Sequence, residues 1–160
     1  MNPLLKVILP VAAIAVAATA AMAASHADKN TTAAIKARKG QMQLYAWNLG
    51  KLGAMAKGEA EYDAKAAMSH ANNLNALVNL DTASMWPQGS DSSVYPVMTR
   101  AKLEGWSTWP AIAEKQKALV TAVATLTGEA GKGKAALGGA LQKVGASCGG
   151  CHKEFRDEKK

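Results

Sequence analysis

Two cysteines and a histidine near the C-terminal end of the chain form the pattern with the clearest chemical meaning. They occur as Cys148-Gly149-Gly150-Cys151-His152. On a helix, Cys148 and Cys151 lie three residues apart on one face, and His152 joins them one residue later. Two thiols so placed can each add to one vinyl group of a haem, and the imidazole can then reach the iron. The C-x-x-C-H pattern therefore predicts one covalently bound haem c, with His152 as the proximal iron ligand.

Other chemistries for two closely spaced cysteines fit the sequence less well. A zinc site needs further ligands, and only His26 and His70 remain as additional histidines. A dithiol redox pair is expected near a strand–helix–strand pattern, which the sequence lacks. A disulfide across two intervening residues closes a very small loop and would stabilise little.

Four segments with helical spacing of their apolar residues must position this motif. They cover residues 30–57, 63–79, 109–128 and 132–160. The first begins at an Asn30-Thr31-Thr32 cap and stops at Gly58, the second begins at the Asp63 cap, and the third opens at Trp109-Pro110. A long connection of residues 80–108 separates the second from the third. The expected inward face of the fourth segment consists of Leu137, Leu141, Val144, Cys148, Cys151/His152 and Phe155. Four amphipathic helices joined mostly by short connections predict an all-α fold, an antiparallel up-down-up-down four-helix bundle.

A second axial ligand must come from upstream, because the eight residues after His152 include no Met or His. In an antiparallel bundle, Met42 lies about 16 Å into the first helix and His152 roughly 12 Å from the end of the fourth, at a rise of ~1.5 Å per residue. Met42 is therefore the leading candidate for the distal ligand. Met85 and Met98, in the connection at this end of the bundle, remain alternatives.

Two arginines are candidates for contact with the haem. The expected inward stripe of the first helix consists of Ile35, Arg38, Met42, Tyr45, Leu49, Leu52 and Ala56. Arg38 interrupts its apolar character one turn before Met42, and a semi-buried arginine needs an anion such as a haem propionate. A solvated arginine near the helix end is the alternative. Arg156, four residues after His152, could lie beside the haem edge or be an ordinary surface charge.

The first 23 residues have the order of a secretory signal peptide. Lys6 precedes an apolar run of residues 7–21, and residues 21–23 read Ala-Met-Ala, an A-x-A cleavage site. The run is about 15 residues long, short of the ~20 residues that span a bilayer. We therefore predict cleavage after Ala23, a mature domain of residues 24–160, a periplasmic location and no membrane insertion of the mature protein.

The formal net charge of +7 falls to +6 on cleavage, because Lys6 is the only charged side chain in residues 1–23. A basic exported chain is a poor candidate for nucleic-acid binding. The expected partners are redox proteins whose identity the sequence does not give.

The chain resembles the class II cytochromes c, the cytochrome c′ family, over essentially the whole mature region. The resemblance rests on the C-x-x-C-H motif followed by Phe155-Arg156, and on four further stretches. Residues 37–42, 55–63, 85–90 and 106–109 read ARKGQM, MAKGEAEYD, MWPQGS and WSTW. The resemblance implies a four-helix bundle with haem near one end, often as a homodimer, so a homodimer is a candidate assembly.

The resemblance also implies a choice between two branches at Met42. Low-spin members place a methionine from the first helix on the iron and transfer electrons, whereas high-spin members leave the sixth site without a protein ligand and bind NO or CO. The residues around Met42 look more like the low-spin branch, although some high-spin members carry a non-ligating methionine there. The expected function is a one-electron carrier with His152 and Met42 on the iron, and the alternative is an NO or CO binder. An enzyme is not expected, because no distal His or Arg pair is placed to cleave a peroxide bond.

Overall fold

The computed structural model describes the backbone of residues 9–158 and the side chains of residues 28–158. The side chains of the predicted signal peptide, residues 1–23, and of His26 lie outside this description, so cleavage after Ala23 stays a prediction. Within the part of the chain that is described, no helix is both long and apolar enough to cross a membrane.

The described residues form α1 (Leu9–Lys57), α2 (Ala64–Val78), α3 (Glu104–Ser107), α4 (Trp109–Glu129) and α5 (Lys134–Phe155). The four long helices pack in a ring, since α1 and α4 each contact both α2 and α5. The end of α1 lies beside the start of α5: a Cβ on Gly58 would come within 2.6 Å of the Lys134 Nζ. This arrangement confirms the predicted antiparallel four-helix bundle.

Local signals set most of the helix ends. The Asp63 side chain accepts a hydrogen bond from the Ala66 N–H at 2.9 Å and caps α2. Pro110 occupies the first turn of α4, where a missing N–H costs nothing. Gly58 ends α1 with φ of 83°, a conformation that glycine adopts without steric cost.

The start of α1 differs from the prediction. The helix does not begin at the Asn30-Thr31-Thr32 sequence but runs through it from Leu9. The Thr32 hydroxyl bonds back to the Lys29 carbonyl at 3.0 Å within the helix. A threonine can thus satisfy its hydroxyl inside a helix, and the alanine-rich sequence before it favours helical continuation.

The core is made of apolar side chains from all four long helices. Fully buried members include Leu52, Leu74, Leu126, Leu137 and Val144. On α1 the buried stripe differs from the predicted one in part. Ile35, Arg38 and Leu52 are buried as expected, but Gln41 and Asn48 are buried as well, and Met42 is 42% exposed.

Residues 79–103, which we call the connecting loop, join α2 to α3 and include the short 3₁₀ helix Ala83–Met85. The loop contacts α1 through Arg38, which donates to Thr99. It contacts the end of α5 through an antiparallel bridge between Ala101 and Arg156. The loop therefore holds the part of α1 around Arg38 and the C-terminal end of α5 at the same end of the bundle.

Candidate haem site

The two cysteines lie on α5 with both thiols free. Cys148 is half-buried and packs against the core beside Val144, and Cys151 is half-buried one turn later. Burial raises the pKa of both thiols. The side chains are therefore neutral thiols at neutral pH, one turn apart on one side of the helix.

His152 follows directly and is also half-buried. It lines an open cleft of about 690 Å³ that is rich in charged side chains. The cleft is lined by Arg100, Gly149, His152, Lys153, Arg156, Asp157 and Glu158. Burial, and then the positive charges of Arg156 and Arg100, lower the pKa of His152. The neutral imidazole, the form that binds a metal, is thus favoured.

Tyr45 relates the level of α1 to this part of α5. Burial raises the pKa of Tyr45 to about 12, and the nearby Cys148 adds to the shift. Met42 lies three residues before Tyr45, about 4.5 Å along α1, and His152 lies four residues after Cys148, about 6 Å along α5. Because the two helices are antiparallel, Met42 and His152 lie at nearly the same level of the bundle.

The other candidate ligands occupy different positions. His70 lies on α2, and its Nδ1 is 2.9 Å from the Asn48 Oδ1. Met85 and Met98 lie in the connecting loop at the end of the bundle where His152 is found. Among the described residues, no group of three or more His, Cys, Asp or Glu is arranged to hold a metal ion.

The two arginines differ in their surroundings. Arg38 is 3% exposed, and its guanidinium donates hydrogen bonds to Met85, Ser90 and Thr99 of the connecting loop. The sequence correctly indicated a buried arginine, and its hydrogen-bond partners in the structure are carbonyl and hydroxyl oxygens. Burial lowers the pKa of Arg38, and the nearby Asp91 carboxylate raises it. Arg156 is exposed and lines the cleft beside His152. A propionate contact of either arginine stays a prediction.

The residues of α5 fit the haem that the C-x-x-C-H pattern predicts. Cys148, Cys151 and His152 come to one side of a helix, and neither thiol is engaged in a disulfide. A Cβ on Gly149 or Gly150 would meet nothing within 4 Å, so there is open space at this part of the helix. The two thiols could hold the haem edge, and the neutral imidazole could bind its iron.

Two contributors to the site carried no recognisable sequence signal. Arg100 faces His152 because the connecting loop returns to α5, a tertiary contact that residue spacing does not reveal. Gln41 is buried and donates both to the Tyr45 hydroxyl at 3.1 Å and to the Leu77 carbonyl at 2.9 Å. The Leu77 carbonyl lies on α2, and periodicity within α1 alone does not show this partner. Such periodicity therefore assigns a polar residue like Gln41 to the surface.

Comparison with known proteins places these features in a family. Residues 33–156 match the family model described as cytochrome c′. The chain belongs to the cytochrome c′ family. A cytochrome c′ of Cereibacter sphaeroides is 39% identical over 76% of this chain and 81% of its own length. A cytochrome c-554 of the same species is 37% identical over 78% of this chain and 92% of its own length.

Solved structures of cytochromes c′ share the same fold. One from Rhodobacter has a TM-score of 0.78 at 37% identity and covers 81% of this chain and 99% of its own. A nitric oxide complex of an Alcaligenes xylosoxidans cytochrome c′ variant has a TM-score of 0.71 at 27% identity, covering 81% and 98%. Another structure is of a cytochrome c′ with an unusual ligand-controlled dimer dissociation, with a TM-score of 0.73 at 29% identity, covering 80% and 97%.

Membership in the cytochrome c′ family confirms the predicted cofactor, one covalently bound haem c. It confirms the four-helix bundle as well. The relatives support the cytochrome c′ family as a whole and do not single out its low-spin branch.

Proposed function

We propose that haem c is attached to this protein through Cys148 and Cys151, with His152 as the proximal iron ligand. The support is the geometry of α5, on which two free thiols and a neutral imidazole come to one side of the helix beside open space. The bound haem supplies an iron atom that can change oxidation state and take a ligand on its other face. The chain supplies two thiols that hold the haem edge and an imidazole that fixes the proximal side.

We propose that the function of this site is to bind a small diatomic gas, NO or CO, on the iron face opposite His152. The observation that carries this proposal is the fold shared with the nitric oxide complex of the Alcaligenes xylosoxidans variant, over 81% of this chain.

A one-electron carrier with His152 and Met42 on the iron is the second candidate function. The observation that favours it is the common level of the two side chains in the antiparallel helices, as the proximity of Tyr45 and Cys148 indicates. A thioether ligand favours Fe(II), so a Met/His pair would raise the reduction potential and keep the iron low-spin. Redox partner proteins would then be required, and their identity stays open.

The two functions are separated by titrating the ferrous holoprotein with CO and following its optical spectrum. A gas-binding site predicts a high-spin ferrous spectrum and stoichiometric CO uptake without a slow ligand-release phase. A low-spin ferrous spectrum that CO changes only slowly would contradict gas binding and favour the electron carrier.

We further propose that the protein is exported to the periplasm, is not an enzyme and forms a homodimer. The support for export is the signal-peptide pattern of residues 1–23. The support for the dimer is the relative whose dimer dissociates under ligand control. Sedimentation of the holoprotein with and without CO measures the assembly state, and a monomer at all concentrations would contradict the dimer.

A further inference from the structure

A single buried side chain of α1 organises the connecting loop. The Arg38 Nη1 donates to the Met85 carbonyl at 3.3 Å and to the Ser90 hydroxyl at 2.6 Å. The Nη2 donates to the Ser90 carbonyl and, at 3.2 Å, to the Thr99 hydroxyl. All four acceptors belong to the loop, so one guanidinium joins three separate points of it to α1.

Two indole rings enclose the same guanidinium. Its carbon lies 4.6 Å from the centre of the Trp86 ring and 5.7 Å from that of Trp106. The Trp106 Nε1 in turn donates to the Trp86 carbonyl at 3.0 Å. Such a planar cation over aromatic faces, with a fork of directed donors, is an arrangement that lysine cannot reproduce.

The far end of the loop stabilises the last turn of α5. Thr99, which accepts from Arg38, also accepts from the Ala101 N–H at 3.2 Å. Beyond it, the Lys102 N–H donates to the Phe155 carbonyl at 3.0 Å, and the Asp157 N–H donates to the Arg100 carbonyl at 2.8 Å. These two bonds form a short antiparallel strip three to five residues after His152.

The last turn of α5 needs such support. The carbonyls at a helix C-terminus lack partners within the helix, and the turn before it contains Gly149 and Gly150, both poor helix formers. The strip supplies an external donor to the Phe155 carbonyl. The contacts from Arg38 through Thr99 to this strip form one continuous connection between α1 and the turn that carries His152.

We propose that Arg38 is a positioning residue for His152, acting through the connecting loop. Its guanidinium holds the loop in the conformation that lets Arg100 and Lys102 pair with the end of α5. This inference rests on the proposed ligation of the iron by His152. It assigns Arg38 a role in addition to the propionate contact that the sequence indicated.

Three variants of the holoprotein test this role. Arg38→Lys keeps the positive charge and loses the forked donor geometry of the guanidinium. Thr99→Val removes the hydroxyl that accepts from Arg38 and from the Ala101 N–H, and it keeps every charge. Thr125→Val is the matched control, because Thr125 makes only a hydrogen bond to the Thr121 carbonyl within α4. Two quantities are measured: the hydrogen exchange rates of the Lys102 and Asp157 amides, and the iron–histidine band in the resonance Raman spectrum of the ferrous protein.

Arg38→Lys and Thr99→Val should each accelerate exchange at Lys102 and Asp157 by roughly three- to tenfold, the loss expected for one hydrogen bond. Exchange at Leu126 in the core should not change. Both variants should also change the iron–histidine band, either by a frequency shift of the same sign or by broadening. Thr125→Val should change neither the exchange rates nor the band.

Wild-type exchange and an unchanged band in both variants would overturn the proposal. Arg38 would then act through its charge, and only a variant without that charge, such as Arg38→Gln, would move the reduction potential. If Arg38→Lys does not fold, Thr99→Val decides alone. A low-spin wild type would contradict the proposed gas binding and remove the Raman band, but the exchange rates would still test the link from Arg38 to α5.

Discussion

Replacing Met42 by alanine tests whether its sulfur is on the iron, and Met68 offers a matched control. Met42 is 42% exposed and Met68 is 44% exposed, so the two side chains bury nearly the same fraction of their surface. Met68 lies on α2 against Gly131, where a Cβ would come within 2.9 Å of its sulfur. The two variants therefore share the packing loss and differ in their position relative to His152.

The expected loss of stability follows from that burial. A fully buried methionine side chain contributes about 1.5–3 kcal/mol. With a little over half of the side chain buried, each variant should lose roughly 1–2 kcal/mol of unfolding free energy. Urea unfolding of the two holoproteins measures this difference directly.

The spectra should separate the two methionines only if one of them is a ligand. For an open distal site we predict that Met42→Ala keeps the high-spin spectrum and the reduction potential of the wild type, with at most a changed rate of CO binding. Met68→Ala should leave all three quantities unchanged. A low-spin wild type that Met42→Ala converts to high-spin with a lower potential would refute the open site and assign the sulfur to the iron.

Three further predictions test the fold around the site. Asp63→Ala should cost about 1 kcal/mol in thermal or urea unfolding, because it removes the cap of α2, and an unchanged stability would contradict the capping bond. Leu126→Ala, in the fully buried core, should cost about 2–5 kcal/mol, and a loss below 1 kcal/mol would indicate a looser core than the structure has. Hydrogen bonds from Ser93 hold the pKa of Asp91 below its ordinary value of 3.8, so the stability it contributes should be complete above about pH 4 and lost as the pH falls through the folded pKa. Asp91→Asn should therefore be less stable than the wild type at pH 6, with the difference shrinking towards pH 2, and a constant difference would contradict the linkage.

The sequence predicted the parts of the fold that depend on local chemistry. The Asp63 cap, the glycine at position 58 and the proline at position 110 act within a few residues, and the corresponding helix ends agree with the structure. The apolar face of α5, with Leu137, Val144 and Phe155 buried, follows directly from helical periodicity. The helix α5 forms despite its glycines, because the packing of its apolar face outweighs a helix-propensity cost of about 1 kcal/mol per glycine.

The features that the sequence did not predict depend on contacts between distant segments. Asn48 is buried because its amide accepts from Asn73 at 3.1 Å and lies beside His70, both on α2. Likewise, the acceptors around Arg38 lie 47 to 61 residues away along the chain. A periodicity read on one helix cannot identify a partner on another element, so it did not show that Arg38 donates to carbonyl and hydroxyl oxygens of the connecting loop.

The covalent attachment of haem through Cys148 and Cys151 is tested most directly by the intact mass of the denatured holoprotein. After expression with a c-type haem maturation system, we predict the mass of residues 24–160 plus one haem. The double variant Cys148→Ser/Cys151→Ser should give the mass of the bare chain, with any haem extracted by acid acetone. A bare chain in the wild type, or haem that survives denaturation in the double variant, would contradict attachment through these two thiols.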